Sequence, residues 1–548
     1  MNTSASPTPV EFAAPGPGSW SIDTAHFPRP VSHFQAEIHP QGITEGFTDC
    51  APRYGLLIDT LDFRFINGFG YSTVVPAPET EIPARFKAAE AVFRDKIWRD
   101  DLERWDREVK PASIETHQAL LAVEPEALSD QELFDYVTRC RENLQAMVRQ
   151  HHMFNLAAMI PVGDFMAHVE RWSPLPVKDY LTLTQGSAPE SAGIFHELDD
   201  LAEAIRGSEE ARGILGSDAP GGTILDRLRD APGAVGETAR TYLDMVGHRL
   251  LNSLDTGEPA AIEVPDALVS RIRLAVDQGV QHGAAVSADE AARLRAAIPP
   301  EHRETYDGLL EEVLRMWRLR DERGFYSDVW AGGVMRRALL AAGKRLAAEG
   351  RIAEPENLAE GTWAEIQDLL RRNGGPSAET LAARADYRRT HRAEAAPPEL
   401  GDPPAPPPPL DGLPPDVVRV MTAIGTAIMS LNADPDSGEK STIVKGIGAS
   451  PGTYTGTARV IDGPDDLRRL QRGDVLIAAT TTDSFNIVLP LLGGIVTNAG
   501  GLLSHAAIVG REYGIPSVVG TRNATAVIAD GARVTVNGST GEVEIAAA

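Results

Sequence analysis

The sequence predicts a multidomain α+β protein: a largely helical body with a β-containing N-terminal segment, then a smaller α/β (β/β/α) domain at the C-terminal end. Three observations predict it. Helical periodicity dominates residues 82–395. Pro397–Pro415 carries ten prolines in nineteen residues and separates that region from the C-terminal part of the chain. Beyond residue 443, short apolar runs alternate with glycine turns, the pattern of strands and tight connections. At 548 residues there is room for about two to four domains and ample buried core.

Residues 1–18 lack the basic region and apolar core of a signal peptide and read as a disordered leader. Within 19–80, Tyr54–Ile66 and Gly68–Tyr71 hold β-type residues in partial alternation. In 82–395, Phe86, Ala89, Val92, Phe93 and Ile97 share one helical face. Leu309, Leu310, Val313, Met316 and Trp317 share another. Breaks fall at Pro174, Gly186, Gly221-Gly222, Pro299-Pro300 and Gly374–Pro376. The body is therefore expected over 19–395 and a linker over 396–442. Within the linker, the prolines favour a polyproline spacer of roughly 60 Å if fully extended. Val417–Leu431 reads as a helix and Asn432–Lys440 as a hinge. Such a tether suits a domain, residues 443–548, that travels between two sites.

Composition narrows the function. A hydrophobic content of 42% and charged content of 24% are ordinary for globular proteins. The net charge of −26 speaks against nonspecific nucleic-acid binding and against anionic membranes. Two cysteines, Cys50 and Cys140, give no disulfide framework and fit a reducing cytoplasm. Ser484–Gly510 lacks Asp, Glu, Lys and Arg, but its glycines, Pro490, Asn486, Asn498 and His505 suit buried strands and turns rather than a membrane span.

The chemistry concentrates in Thr497–Gly520. Ile495-Val496 end a buried strand, Gly500-Gly501 make a tight turn, and Ser504 can cap a helix beginning near His505. A helix N-terminus attracts anions and lowers the basicity of a histidine placed there, which suits a neutral nucleophile. Once phosphorylated, such a histidine would hold its phosphoryl oxygens near the same N–H groups. Ala506, Ala507 and Gly510 leave room for a partner to approach. Around this stretch lie Gly446-Ile-Gly-Ala-Ser-Pro-Gly452 with Gly456–Val460, Gly473-Asp-Val-Leu-Ile477 with Thr480–Thr482, Asp530-Gly531, and Gly538-Ser-Thr-Gly541. In that order they resemble the opening hairpin, central strand and closing hairpins of the phosphohistidine domain in the phosphoenolpyruvate synthase and pyruvate phosphate dikinase superfamily. Gly510 departs mildly, since alanine is usual there. The resemblance implies that His505 carries a phosphoryl group, supported by Thr497, Gly500, Gly501, Ser504 and Arg511.

In the body, Phe27–Ser32, Leu181-Thr-Leu-Thr-Gln-Gly186 with Ser191, Gly247-His248-Arg249, and Gly343–Gly350 with Pro355-Glu356-Asn357 resemble landmarks of the acceptor-binding domain in rifampin phosphotransferase-type proteins. No stretch resembles the ATP-grasp domain of the full-length relatives, nor their C-terminal pyruvate-binding barrel. Gly221-Gly222 and Gly332-Gly333 are isolated glycine pairs without phosphate-loop context. The resemblance therefore implies a split phosphotransferase, organised like phenylphosphate synthase and the hydroxyphenyl-ketone (acetovanillone-type) kinases. A separate ATP-grasp subunit would bind ATP with Mg2+ and convert ATP to AMP and phosphate. This chain would pass the phosphoryl group from His505 to a small organic hydroxyl, a phenol such as a 4-hydroxyphenyl ketone. An antibiotic (rifampin-like) phosphotransferase subunit and a non-catalytic regulatory relative stay open. His248 is the candidate base and Arg249 the candidate phosphate ligand, against a core histidine and a surface arginine. His152 and Asn155, one helical turn apart, and Gln185 are candidate acceptor contacts. No metal site is expected in this chain. Arg315, Arg318 and Arg320 with Asp321-Glu322 read as solvated ion pairs.

Overall fold

The computed structural model describes residues 11–546 except 193–194, 252–253, 280–285, 405, 407–408, 432–442, 482–484 and 487. Residues 1–10 of the expected leader, the expected hinge and Thr482 lie outside the described residues. The architecture is α+β, as the sequence predicts.

The N-terminal segment is built on a four-stranded sheet in the order β2-β3-β1-β4. Its strands are β1 (Ser19–Ile22), β2 (Ile58–Ile66), β3 (Phe69–Pro76) and β4 (Glu399–Gly401). Asn67 and Gly68 join β2 to β3 with φ of 51° and 81°, the two positive angles a tight two-residue hairpin needs. Residues 11–18 depart from the leader expectation. Phe12 packs on Phe69 with ring centroids 6.0 Å apart, and Asn67 Nδ2 donates to the Glu11 carbonyl. A helix, His33–Cys50, lies between β1 and β2 where texture alone suggested only β structure. It holds Pro40 and two glycines, which weaken the helical signal. The glycines earn their place by packing. A Cβ on Gly42 would lie 2.5 Å from Val148, and one on Gly46 would lie 2.5 Å from His152. The helix thereby lies close against the Asp130–Met153 helix.

The same logic explains the body's other landmarks. A Cβ on Gly333, in the Asp328–Ala348 helix, would stand 1.7 Å from the His248 carbonyl, and one on Gly343 would stand 2.2 Å from the Pro355 carbonyl. Phe27–Ser32 ends in a helix cap: Ser32 accepts from the Gln35 N–H and donates its own N–H and hydroxyl to Asp255. The linker expectation changes too. β4 pairs antiparallel with β1, and the Pro415–Leu431 helix packs on Asn155–Trp172. There a Cβ on Gly163 would lie 1.9 Å from the Ala423 carbonyl, and Arg419 grips Asp164 at 2.9 and 2.7 Å. The proline-rich stretch is thus held at both ends by the body.

The C-terminal domain is an eight-stranded sheet in the order β5-β12-β11-β7-β8-β9-β10-β6. Its strands are β5 (Ile443–Lys445), β6 (Ile447–Ser450), β7 (Thr453–Ile461), β8 (Val475–Ala478), β9 (Gly494–Thr497), β10 (Ser517–Val519), β11 (Arg533–Asn537) and β12 (Glu542–Ile545). The expected opening hairpin is not one: β6 pairs with β10, while β7 pairs with β8 and β11. The closing β11–β12 hairpin forms as expected. β7, β8, β9 and β10 run parallel, so the loops after β8, β9 and β10 meet at one edge, where α/β sheets place ligands.

Candidate functional site

His505 opens the helix His505–Tyr513 that crosses from β9 to β10. Gly500, at φ 108°, supplies the turn leaving β9. Ser504 has cap backbone geometry, but its hydroxyl donates to the Gly501 carbonyl instead of accepting from the helix. The first helical bond runs from the Ile508 N–H to the Ser504 carbonyl, so the N–H groups before it face out of the helix end. His505 is half-buried, and its Nδ1 lies 3.1 Å from the Thr481 hydroxyl on the loop after β8. That contact orients the ring.

Thr497 and Arg511 support this loop rather than face a phosphoryl group. The fully buried Thr497 hydroxyl donates to the Ala499 carbonyl. Arg511 is buried and donates to the carbonyls of Ala449 and Leu502, with Trp317 beneath its guanidinium at 5.7 Å. Burial pulls its pKa down to about 10.

A second polar centre lies in the body. His151 Nδ1 is 2.8 Å from Asp328 Oδ1, at the start of the Asp328–Ala348 helix. Burial holds His151 well below its ordinary value and pushes the Asp328 carboxyl up to about 7, so the pair shares a proton rather than separating charge. The His151 and His152 rings stack at 4.6 Å, and Asn155 Nδ2 lies 3.0 Å from His152 Nδ1. His152 and Asn155 thus meet as expected, although Phe154 breaks the helix between them. Gln35 hydrogen-bonds His39, which burial holds at about 4 and on which the Asp328 charge also acts. The Arg323 and Arg320 charges depress His151 further, and the Arg320 charge also acts on Arg511. Among the described residues no group of three or more His, Cys, Asp or Glu is arranged to hold a metal ion.

His248 and Arg249 are placed otherwise than expected. Burial takes His248 to about 4, and its carbonyl sits under Gly333. Arg249 is 5% exposed, not a surface residue, with Phe195, Phe325, Tyr326 and Trp330 around its guanidinium at 4.7, 5.2, 5.4 and 5.7 Å. Gln185 lies at the seam with the C-terminal domain, near Gly514. The expected solvated face is half right. Arg315 pairs with Glu311 in the open. Asp321, Glu322 and Arg323 are buried, and Glu322 is held by Trp105, Lys110 and Arg318. Sequence reasoning missed His39, Asp328 and Arg323, none of which sits in a motif.

The C-terminal domain rests on the body in this arrangement. Asp462 takes Arg29 and Arg392 at 2.8 and 2.5 Å, and Lys178 donates to the Ser539 carbonyl at 2.6 Å. A cavity of about 560 Å³ lies along the seam, lined by Phe27, Arg29, Asp462, Thr480, Phe485 and Arg522 among others. Among the described residues no helix is long and apolar enough to cross a membrane.

Two family models match parts of the chain. Residues 470–541 match the family described as PEP-utilising enzyme, mobile domain, which takes in His505. Residues 150–321 match the family described as rifampicin phosphotransferase fourth domain, which runs from the His151-His152 pair to Arg320-Asp321. The chain is similar to the rifampicin phosphotransferase of Streptomyces sviceus, 28% identical over 76% of this chain and 46% of that protein. A Streptomyces sp rifampicin phosphotransferase is 30% identical over 67% of this chain and 41% of its own length. The probable phosphoenolpyruvate synthase of Archaeoglobus fulgidus is 42% identical over 20% of this chain and 14% of its own. The chain spans under half the length of the rifampicin phosphotransferases it matches.

Proposed function

We propose that this chain delivers a phosphoryl group from His505 to the hydroxyl of a small organic acceptor held between the body and the C-terminal domain. The observation that carries this reading is the setting of His505. It begins a helix at the edge where parallel strands end, and its ring is oriented by Thr481. Histidine nucleophilicity divides one difficult transfer into two simpler ones. On delivery, the bond from the His505 nitrogen to phosphorus breaks as the acceptor oxygen bonds phosphorus. The hydroxyl proton passes to His151, which Asp328 orients. Arg320 and Arg323 supply positive charge beside the moving group.

Loading is assigned to an ATP-grasp unit outside these 548 residues, with Mg2+ and ATP bound there. A phenol such as a 4-hydroxyphenyl ketone is the leading acceptor, by resemblance to the split aryl kinases. The relatives' names favour a second reading with a larger rifampicin-like hydroxyl compound.

The test is direct. A chemical phosphoryl donor such as phosphoramidate should place acid-labile, base-stable phosphate on the wild-type chain and none on His505→Ala. Label remaining on the alanine variant to the same extent would overturn the assignment. Discharge of loaded protein by 4-hydroxyacetophenone or by rifampicin then separates the two acceptor readings.

A further inference from the structure

We propose that Glu512 and the segment 182–192 form the joint that seats the C-terminal domain on the body for delivery, with Glu512 a positioning residue. Glu512 lies two helical turns beyond His505, in the last turn of the same helix. A carboxylate there faces the negative end of the helix dipole and does nothing for the helix itself. Yet Glu512 is 2% exposed. Its Oε2 accepts the Gly186 N–H at 2.8 Å. That donor belongs to the body, 326 positions away in sequence.

The socket is built for this. Gly186 has a φ of 83°, and nothing would meet a Cβ added to it. Glycine is therefore needed there for its backbone angle, not for space. That angle presents the Gly186 N–H to the Glu512 carboxyl group. The Thr184 hydroxyl donates to the Leu181 carbonyl and stiffens the turn. The Leu181–Gly186 landmark, with Gln185 inside it, thus serves docking rather than acceptor binding. Asp462 with Arg29 and Arg392 closes the seam elsewhere, but that carboxylate is 64% exposed and its pairing is worth little. Glu512 is the buried contact, and burial pushes its carboxyl up to about 7. The delivery role rests on the phosphohistidine reading; the joint does not.

Amide hydrogen exchange on the full chain tests the joint without any activity. In Glu512→Ala, the Gly186 amide should exchange about tenfold faster or more. The amides of Val475–Ala478 in β8 and Gly494–Thr497 in β9 should be unchanged. Glu512→Gln, which keeps one acceptor oxygen, should fall between. A second variant, Gly186→Val, distorts the socket and leaves the C-terminal domain's sequence intact; its radius of gyration in solution scattering should increase. Unchanged exchange at Gly186 in Glu512→Ala, or an unchanged radius in Gly186→Val, would overturn the joint. Discharge of phosphorylated Glu512→Ala at the wild-type rate, despite a loosened amide, would overturn its part in delivery. Failure of His505 to take phosphate would overturn only the phosphotransfer function.

Discussion

Replacing Asp328 by Asn isolates the proton-accepting pair and gives two readouts of opposite sign. In the folded protein burial lifts the Asp328 carboxyl from 3.8 to about 7. At this carboxyl the folded state then binds more protons than the unfolded chain between those values, so its contribution to stability falls as pH rises from about 4 to about 7. The span is about three pH units, and at about 1.4 kcal/mol per unit the ceiling is about 4 kcal/mol. Asparagine keeps the shape and an oxygen toward His151 but carries no charge to bury. His39, His151 and His248, held below their ordinary values by burial, gain stability over the same range in both proteins, so the readout is the difference between them. In urea unfolding, wild type should lose about 3 kcal/mol relative to Asp328→Asn between pH 5 and pH 8, where about two of the three pH units fall. Asp328→Asn should be the more stable at pH 8. Delivery should move the other way. The wild-type discharge rate should rise through an apparent pKa near 7, where the pair gives up its shared proton and His151 can accept another. The variant should lose that limb and fall about a hundredfold or more, the usual reach of a positioned base. A variant less stable than wild type at both pH values, with discharge unaltered, would refute the shared-proton pair.

Two further predictions rest on packing. Arg249→Met should change stability by about 1–3 kcal/mol, as cation–π contacts are lost and a buried guanidinium is relieved, while discharge stays within about threefold. A hundredfold drop in discharge at an unchanged melting temperature would return Arg249 to the phosphate. Gly163→Ala should cost about 1–3 kcal/mol in chemical denaturation, because its Cβ would sit 1.9 Å from the Ala423 carbonyl. Unchanged stability would mean that the Pro415–Leu431 helix does not ride on the body.

The two centres differ in how much of them the sequence exposes, and the difference is physical. The His505 centre is local. Strand end, glycine turn, helix start and histidine fall within one short run, so spacing alone reports the geometry. Even there, hydrogen bonding outran spacing. Ser504 chose the Gly501 carbonyl, Thr497 and Arg511 turned inward, and β6 paired with β10 across the sheet. None of these choices changes the residue pattern. The body centre is assembled from the helices that carry Gln35 and His39, His151 and His152, Arg320 and Arg323, and Asp328. No two of those helices are brought together by a motif. What joins the first pair is the groove left by Gly42 and Gly46, and those glycines are also what hid the His33–Cys50 helix from a periodicity reading. His248 and Arg249 stand out in the sequence because they are adjacent and lie within a landmark, but in the structure the landmark is where Gly333 meets a backbone carbonyl. Close approach leaves as strong an imprint on sequence as chemistry does. A glycine next to a charged residue therefore points to function only once the atom that occupies the missing Cβ's place is known.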